Sequence, residues 1–177
     1  MSGSATTIQG LDGNGRAFPV EKIDAHRRGV RHRAVSAFVF DGDALLLQRR
    51  ALDKYHSGGQ WANSCCSHPA WGETPEACVH RRVREELGLD LAFTAVGTVD
   101  YEAAVGGGLI ENEAVQLFTA EARRHALAPR PARAEVMDLR WMEVAALRAD
   151  ARRRPHLYAP WLRLYLDRAW PLLARAA

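Results

Sequence analysis

Lysine is almost missing from this 177-residue chain: Lys22 and Lys54 are the only two, so 22 of the 24 basic residues are arginine. Against 21 acidic residues this leaves a net charge of +3, which permits a phosphate or nucleic-acid ligand without requiring one. Cysteine is scarce as well. The three cysteines, Cys65, Cys66 and Cys78, make an odd count with an adjacent pair, which argues against a disulfide framework and predicts reduced thiols. No apolar run approaches the roughly 20 residues that cross a bilayer. Even Ala34–Phe40 is interrupted by Ser36, so no membrane partner is expected. There is no internal repeat and no low-complexity block. The triplet Arg152, Arg153 and Arg154 lacks alternating aromatics to stack on bases, so it reads as a solvated helix end, and nucleic acid is set aside.

What is present is the composition of a globular protein, 47% hydrophobic and 25% charged, in a length that suits one domain. Residues 1–21 begin with a Gly, Ser and Thr-rich stretch without a basic segment followed by an apolar core. They are expected to be a flexible leader rather than a secretory signal, which points to the cytoplasm. Residues 22–177 are expected to form a single domain, a monomer or weak dimer. Ala34–Phe40, the turn Asp41–Gly42–Asp43 and Ala44–Gln48 predict two buried strands joined by a hairpin. Tyr55–Gly72 reads as an irregular loop of functional length. Thr74 before Pro75, with Val79, Val83 and Leu87 at helical spacing up to Gly88, predicts a helix. Strands are expected over Phe93–Tyr101 and Ala114–Ala120, on either side of the Gly106–Gly108 bend, and over Val136–Trp141. Pro160 opens an amphipathic helix carrying Leu162, Tyr165, Leu166 and Ala169, which Pro171 breaks or kinks. The expected class is α/β (α+β): helices packed on a mixed β-sheet as a sandwich, with extra N-terminal and C-terminal segments.

The helix Arg81–Leu89, preceded by Glu73, resembles the Nudix box. Glu73, Arg81, Val83, Glu85, Glu86, Gly88 and Leu89 hold its register, whereas Ser67 stands where its first glycine belongs and Arg82 replaces a glutamate. In Nudix hydrolases the clustered glutamates hold divalent ions against a diphosphate. A cation inside that cluster weakens the multi-metal site that water attack requires, so Arg82 argues against hydrolysis. The same helix also reads as a solvated one laced by Arg81–Glu85 and Arg82–Glu86 pairs.

Two flanking segments favour chemistry. Arg49–Pro69, with Trp61, Asn63, Cys66, His68 and Pro69 in the order Trp-x-Asn-x-x-Cys-x-His-Pro, and Glu111-Asn-Glu113 resemble the type I isopentenyl diphosphate isomerases of the Nudix superfamily. The resemblance runs from about Lys22 to Trp161. Independently of it, two glutamates two apart in a strand leave the same face with about 7 Å between α-carbons, near enough to share a metal. His26, His32 and His68 can complete a mixed nitrogen and oxygen shell suited to a first-row ion such as zinc or manganese.

The resemblance implies that His26, His32, His68, Glu111 and Glu113 hold Mn2+ or Zn2+, although His26 and His32 stand one residue nearer than the family spacing. It also implies Mg2+ on Glu86 and the backbone carbonyl of Cys66, with Lys22, Arg50, Lys54 and Arg82 on the diphosphate of a prenyl substrate. Moving the double bond of isopentenyl diphosphate requires one proton added and another removed on opposite sides of a carbocation, in a dry pocket. Cys66 is the expected base, its thiolate fraction raised by cations. Glu113, aided by Tyr101, is the expected acid, and Trp161 can present its ring to the cation for about 2 kcal/mol or more. Cys65 reads as packing. Two alternatives are a Nudix hydrolase of a nucleoside or prenyl diphosphate and a degenerate domain that only binds a ligand.

Overall fold

The computed structural model describes residues 6–174; residues 1–5 of the expected leader and residues 175–177 of the expected domain lie outside that range. Nine strands and five α-helices follow in the order β1 (Thr7–Leu11), β2 (Ala17–Glu21), α1 (Lys22–Arg28), β3 (His32–Asp41), β4 (Ala44–Arg50), β5 (Trp61–Ala62), β6 (Cys65–Ser67), α2 (Pro75–Leu87), β7 (Thr94–Gly106), β8 (Leu109–Glu121), β9 (Val136–Glu143), α3 (Val144–Arg153), α4 (Pro160–Leu164) and α5 (Trp170–Leu173). The sheet is mixed. β3 runs parallel to β8 along most of its length and pairs antiparallel with β6 and, at its end, with β4; β4 carries β5 and β9.

Alternation along β3 separates two cores, because successive side chains leave opposite faces. Ala34, Phe38 and Phe40 join Leu45, Leu47, Val115 and Leu117 under the C-terminal helices. Val35, Ala37 and Val39 join Leu46 and Phe118 under Val79, Val83 and Leu87 of α2. Both faces of β3 are therefore covered, which explains why its sequence is a continuous apolar run. Helix α2 ends where its caps dictate: Thr74 accepts a hydrogen bond from Ala77 N at 3.2 Å, and Gly88 turns left-handed.

Several sequence expectations change. Residues 7–21 are not a loose leader: β1 and β2 form an antiparallel hairpin, and β1 joins β3 at Gly10 opposite His32. Within the expected loop, β5 and β6 are short strands paired to β4 and β3. β7 and β8 extend to the glycine bend itself, and α1 and α3 add helices. The C-terminal helix does not break at Pro171. It passes through a π-helical turn at Tyr165–Ala169, which accommodates the missing donor and the ring of the proline. Leu162, Tyr165, Leu166 and Ala169 are buried as the spacing requires. All three cysteines are free, and Cys65 of β6 and Cys78 of α2 pack in the same core. Among the described residues, no helix is long and apolar enough to cross a membrane.

Candidate active site

Strand register assembles the site. His32 lies opposite Glu113 across β3 and β8, and Glu113 lies opposite Tyr101 across β8 and β7. Two pleat repeats further along β3, Ser36 lies opposite Cys66 of β6. His32, Ser36, Glu111 and Glu113 share strand parity with Ala34, Val115 and Leu117, so they emerge on the face covered by the C-terminal helices. There Glu111 and Glu113 line a cavity together with Cys66, Tyr101, Trp161 and Tyr165, and His32 and Ser36 stand against that lining, beside His68 and Cys66.

At one end stand the imidazoles. His26 reaches the site from α1, with ring centroids 4.8 Å from His32 and 5.1 Å from His68. Both His26 Nδ1 and His32 Nδ1 lie 2.7 Å from backbone carbonyls, those of Lys22 and Val30. A carbonyl only accepts, so each Nδ1 carries a proton and each Nε2 is left to face the site. Those two Nε2 atoms are buried without a partner, an arrangement that suits metal ligation and is otherwise unfavourable. His68 Nε2 lies 2.8 Å and His32 Nε2 3.5 Å from Glu113 Oε1. His26, His32, His68 and Glu113 form one group whose ligand atoms can hold an ion; His26, Glu111 and His56 form a second. The spacing of His26 and His32 is thus accommodated by α1 and the turn after it.

The carboxylates interact through Tyr101, whose hydroxyl is 2.8 Å from both Glu111 Oε2 and Glu113 Oε2. A phenol has one proton to donate, so the other contact requires a protonated carboxyl. Burial and the neighbouring Glu113 charge push the Glu111 carboxyl well up. Burial also works against ionised Glu113, but His32 and His68 outweigh it and hold its carboxyl well down. Burial pushes the His68 imidazole down to about 3, so it is neutral.

Cys66 Sγ donates to Asn63 Oδ1 at 3.0 Å and lies 3.2 Å from Ser36 Oγ, which donates to Tyr165 OH at 3.0 Å. The Asn63 amide is oriented by its donation to Ala37 O and Cys65 O, so an acceptor faces the thiol. Burial pushes this thiol up to about 12, with Glu113 and Glu111 adding to the effect. The side chains of Lys and Arg that were expected to raise its thiolate fraction are thus outweighed by burial.

The other end of the cavity is cationic, lined by Lys22, Arg50, Lys54 and Arg82. Burial, then the charges of Lys54, Arg82 and Arg50, lower Lys22 to about 8. Of the carboxylates in the Nudix-like segment only Glu86 lines the cavity, accepting from Arg82 at 2.7 Å and from Gln48 at 3.1 Å. Glu73 is held by a bidentate contact from Arg81, and Glu85 is solvent-side, paired with Arg81 and Arg82. The expected Arg81–Glu85 and Arg82–Glu86 pairs are both present.

The NUDIX domain model matches residues 30–164. A relative from Dinoroseobacter shibae named isopentenyl-diphosphate Delta-isomerase is 51% identical over 155 residues, covering 86% of this chain and 87% of that one. One of the same name from Jannaschia sp. is 45% identical over 166 residues, covering 93% of each. The chain belongs to the Nudix family and, within it, to the isopentenyl-diphosphate isomerases. Solved structures agree on the fold. A Deinococcus radiodurans protein superposes with a TM-score of 0.74 at 15% identity, over 92% of this chain and 98% of that one. A Mycobacterium smegmatis Nudix hydrolase, RenU, gives 0.60 at 26% identity over 96% of each.

Sequence reasoning missed four participants. His56 enters beside Glu111, Glu135 pairs with Lys54 and Arg82, and Ser36 and Tyr165 continue the hydrogen-bond chain from Cys66. Only His56 left a signal, because it lies inside the segment that carries the family resemblance.

Proposed function

We propose that this protein interconverts isopentenyl diphosphate and dimethylallyl diphosphate, with Cys66 and Glu113 as the proton-transfer pair. The observation that carries the reading is that this thiol and this carboxyl line one cavity whose other end is cationic. Lys22, Arg50, Lys54 and Arg82 orient the diphosphate, and Glu86 is the carboxylate left for Mg2+ beside it. Mn2+ or Zn2+ belongs with the histidines, Glu111 and Glu113. When bound, these ions neutralise the diphosphate and polarise the Glu113 carboxyl.

Glu113 delivers a proton to the terminal methylene carbon, aided by the Tyr101 hydroxyl 2.8 Å away. The double-bond electrons form the new C–H bond and leave a tertiary cation. Cys66 removes a proton from the carbon next to the diphosphate-bearing one, and that C–H pair becomes the new double bond. No net proton is gained or lost. Trp161, 2% exposed, offers its ring to the cation, and the burial around it excludes water. A thiol that keeps its proton and a carboxylate that is ionised form the state that begins the reverse reaction. Turnover of isopentenyl diphosphate begins from the other tautomer of the pair, thiolate with carboxylic acid.

NMR of the protein with isopentenyl diphosphate, Mg2+ and a Zn2+ or Mn2+ salt in deuterated water tests this. Dimethylallyl diphosphate carrying solvent deuterium is expected. Released phosphate would point to hydrolysis, and unchanged spectra to a binding protein.

A further inference from the structure

Beside the three expected histidines stands a fourth imidazole. His56 follows β4 in the turn that leads to β5, and its side chain is 3% exposed. The turn is built to point it inward. Ser57 adopts a left-handed backbone, φ 50°, which is unfavourable for a side-chain-bearing residue. At Gly58 a β-carbon would lie 2.3 Å from Leu52 O, so only glycine fits. Arg50 anchors the turn by donating to His56 O at 3.2 Å. The ring rests against Tyr55 and Trp161 and lies nearly parallel to that of His26, 27° between planes with centroids 5.8 Å apart.

His56 Nε2 is 3.3 Å from Glu111 Oε1, and the ligand atoms of His56, His26 and Glu111 all lie within 4.8 Å of one another. Opposite ligands of one transition-metal ion are about 4.2 Å apart, so the group needs little adjustment to close on a shared centre. Ser57 Oγ, 3.3 Å from His56 Nδ1, can accept the Nδ1 proton and leave the Nε2 lone pair free. His26 belongs both to this group and to the one with His32, His68 and Glu113.

We propose that His56 is a further ligand of the ion at this centre, a fourth imidazole entering from the Glu111 side. The proposal rests on the metal centre described under Proposed function. Four nitrogens with two carboxylates give a nitrogen-rich shell, which favours zinc or cobalt over manganese and magnesium.

The test compares the full-length protein with His56→Phe, which keeps ring volume, and His56→Gln, after removal of metal by a chelator. Zn2+ affinity is read by competition with a chromophoric chelator, Mn2+ affinity by electron paramagnetic resonance, and the Co2+ form by its visible spectrum. Both variants are expected to lose about 10–100-fold in Zn2+ affinity, with a smaller loss for Mn2+ and a shifted Co2+ spectrum; near-UV circular dichroism confirms that the fold persists. Unchanged Zn2+ affinity overturns the proposal. Equal losses for Zn2+ and Mn2+ with an unshifted spectrum also overturn it, assigning His56 to a hydrogen bond with Glu111. Wild-type protein that takes up no ion sinks the metal centre itself, whereas wild-type uptake that His56→Phe leaves intact sinks only the role of His56.

Discussion

Two polar clusters in this protein follow opposite rules. Around Asp150 of α3 the carboxylate is fully used: Oδ1 accepts from Arg154 Nε at 2.9 Å and from Arg153 at 3.3 Å, and Oδ2 accepts from Arg154 at 2.7 Å and Tyr158 OH at 2.6 Å. The cavity is the reverse. Of the buried side-chain polar atoms without a partner among the described residues, all but Arg163 Nε belong to residues that line it or touch its lining. Four cations line it, and among them Arg82 pairs with Glu86 while Glu135, beside the lining, pairs with Lys54 and Arg82. Satisfied buried groups hold a fold together, while unsatisfied ones subtract from stability and persist where a ligand completes them.

Substitutions should therefore separate activity from stability, and the largest effect is expected in the cavity. Cys66→Ala and Glu113→Gln should each lower turnover by about 10²–10⁴-fold, with melting temperature in calorimetry unchanged or raised. A variant with near-normal turnover removes its residue from the mechanism. Asp150→Asn should do the opposite, lowering the melting temperature by several degrees while kcat is retained. Its pH dependence is fixed in sign. Hydrogen bonds from Arg154 and then Tyr158 hold the Asp150 carboxyl down to about 2, so its contribution is present above the ordinary carboxylate range. It is lost as pH falls from there toward 2. The gap in melting temperature between wild type and variant should close over that window; a constant gap would break the contrast.

Lys22 sharpens the same contrast from inside the cavity. Lys22→Met should raise stability at pH 7 by on the order of 1–3 kcal/mol, because it removes a buried cation from among cations. With its ammonium lowered to about 8, the unfolded chain binds more protons than the folded one between there and the ordinary lysine range. The stability cost of Lys22 should thus fade as pH rises through that window, and the two proteins should converge. Binding of inorganic diphosphate, followed by calorimetry, should weaken over the same window in wild type and stay flat in the variant. The smallest effect is expected at Glu85, on the outer side of α2: Glu85→Gln should shift stability by less than about 0.5 kcal/mol and leave kinetics unchanged. Glu86→Gln, one residue away, should raise the Mg2+ concentration needed for half-maximal rate.

Much of the architecture was legible where local chemistry and tertiary demand agree. Thr74, Pro75 and Gly88 bound α2 just as their backbone preferences dictate. The β1–β2 hairpin was not legible, because Pro19 and Gly10 are poor strand signals. Gly10 is required by contact: a β-carbon there would lie 2.7 Å from the Phe18 ring across the hairpin. α1 has seven residues, too few for periodicity to show. α3 went unread although Val144, Leu147 and Ala151, all buried, are spaced as one helical face. Within the site, each residue drawn from the family pattern lies at the cavity or against its lining, whereas Glu135 and Tyr165, far along the chain, carried no local mark.

The residues themselves determined the chemistry on offer, because a thiol, paired carboxylates, imidazoles and a few cations at given spacings limit what can be bound or transferred. They also determined α2 and the β3–β4 hairpin, whose signals act over neighbouring residues. Only the tertiary structure decided which way the proton affinity of each group moves. Burial and the charges brought alongside by strand register act through space, so Glu111 and Glu113, two positions apart with the same side chain, are pushed in opposite directions.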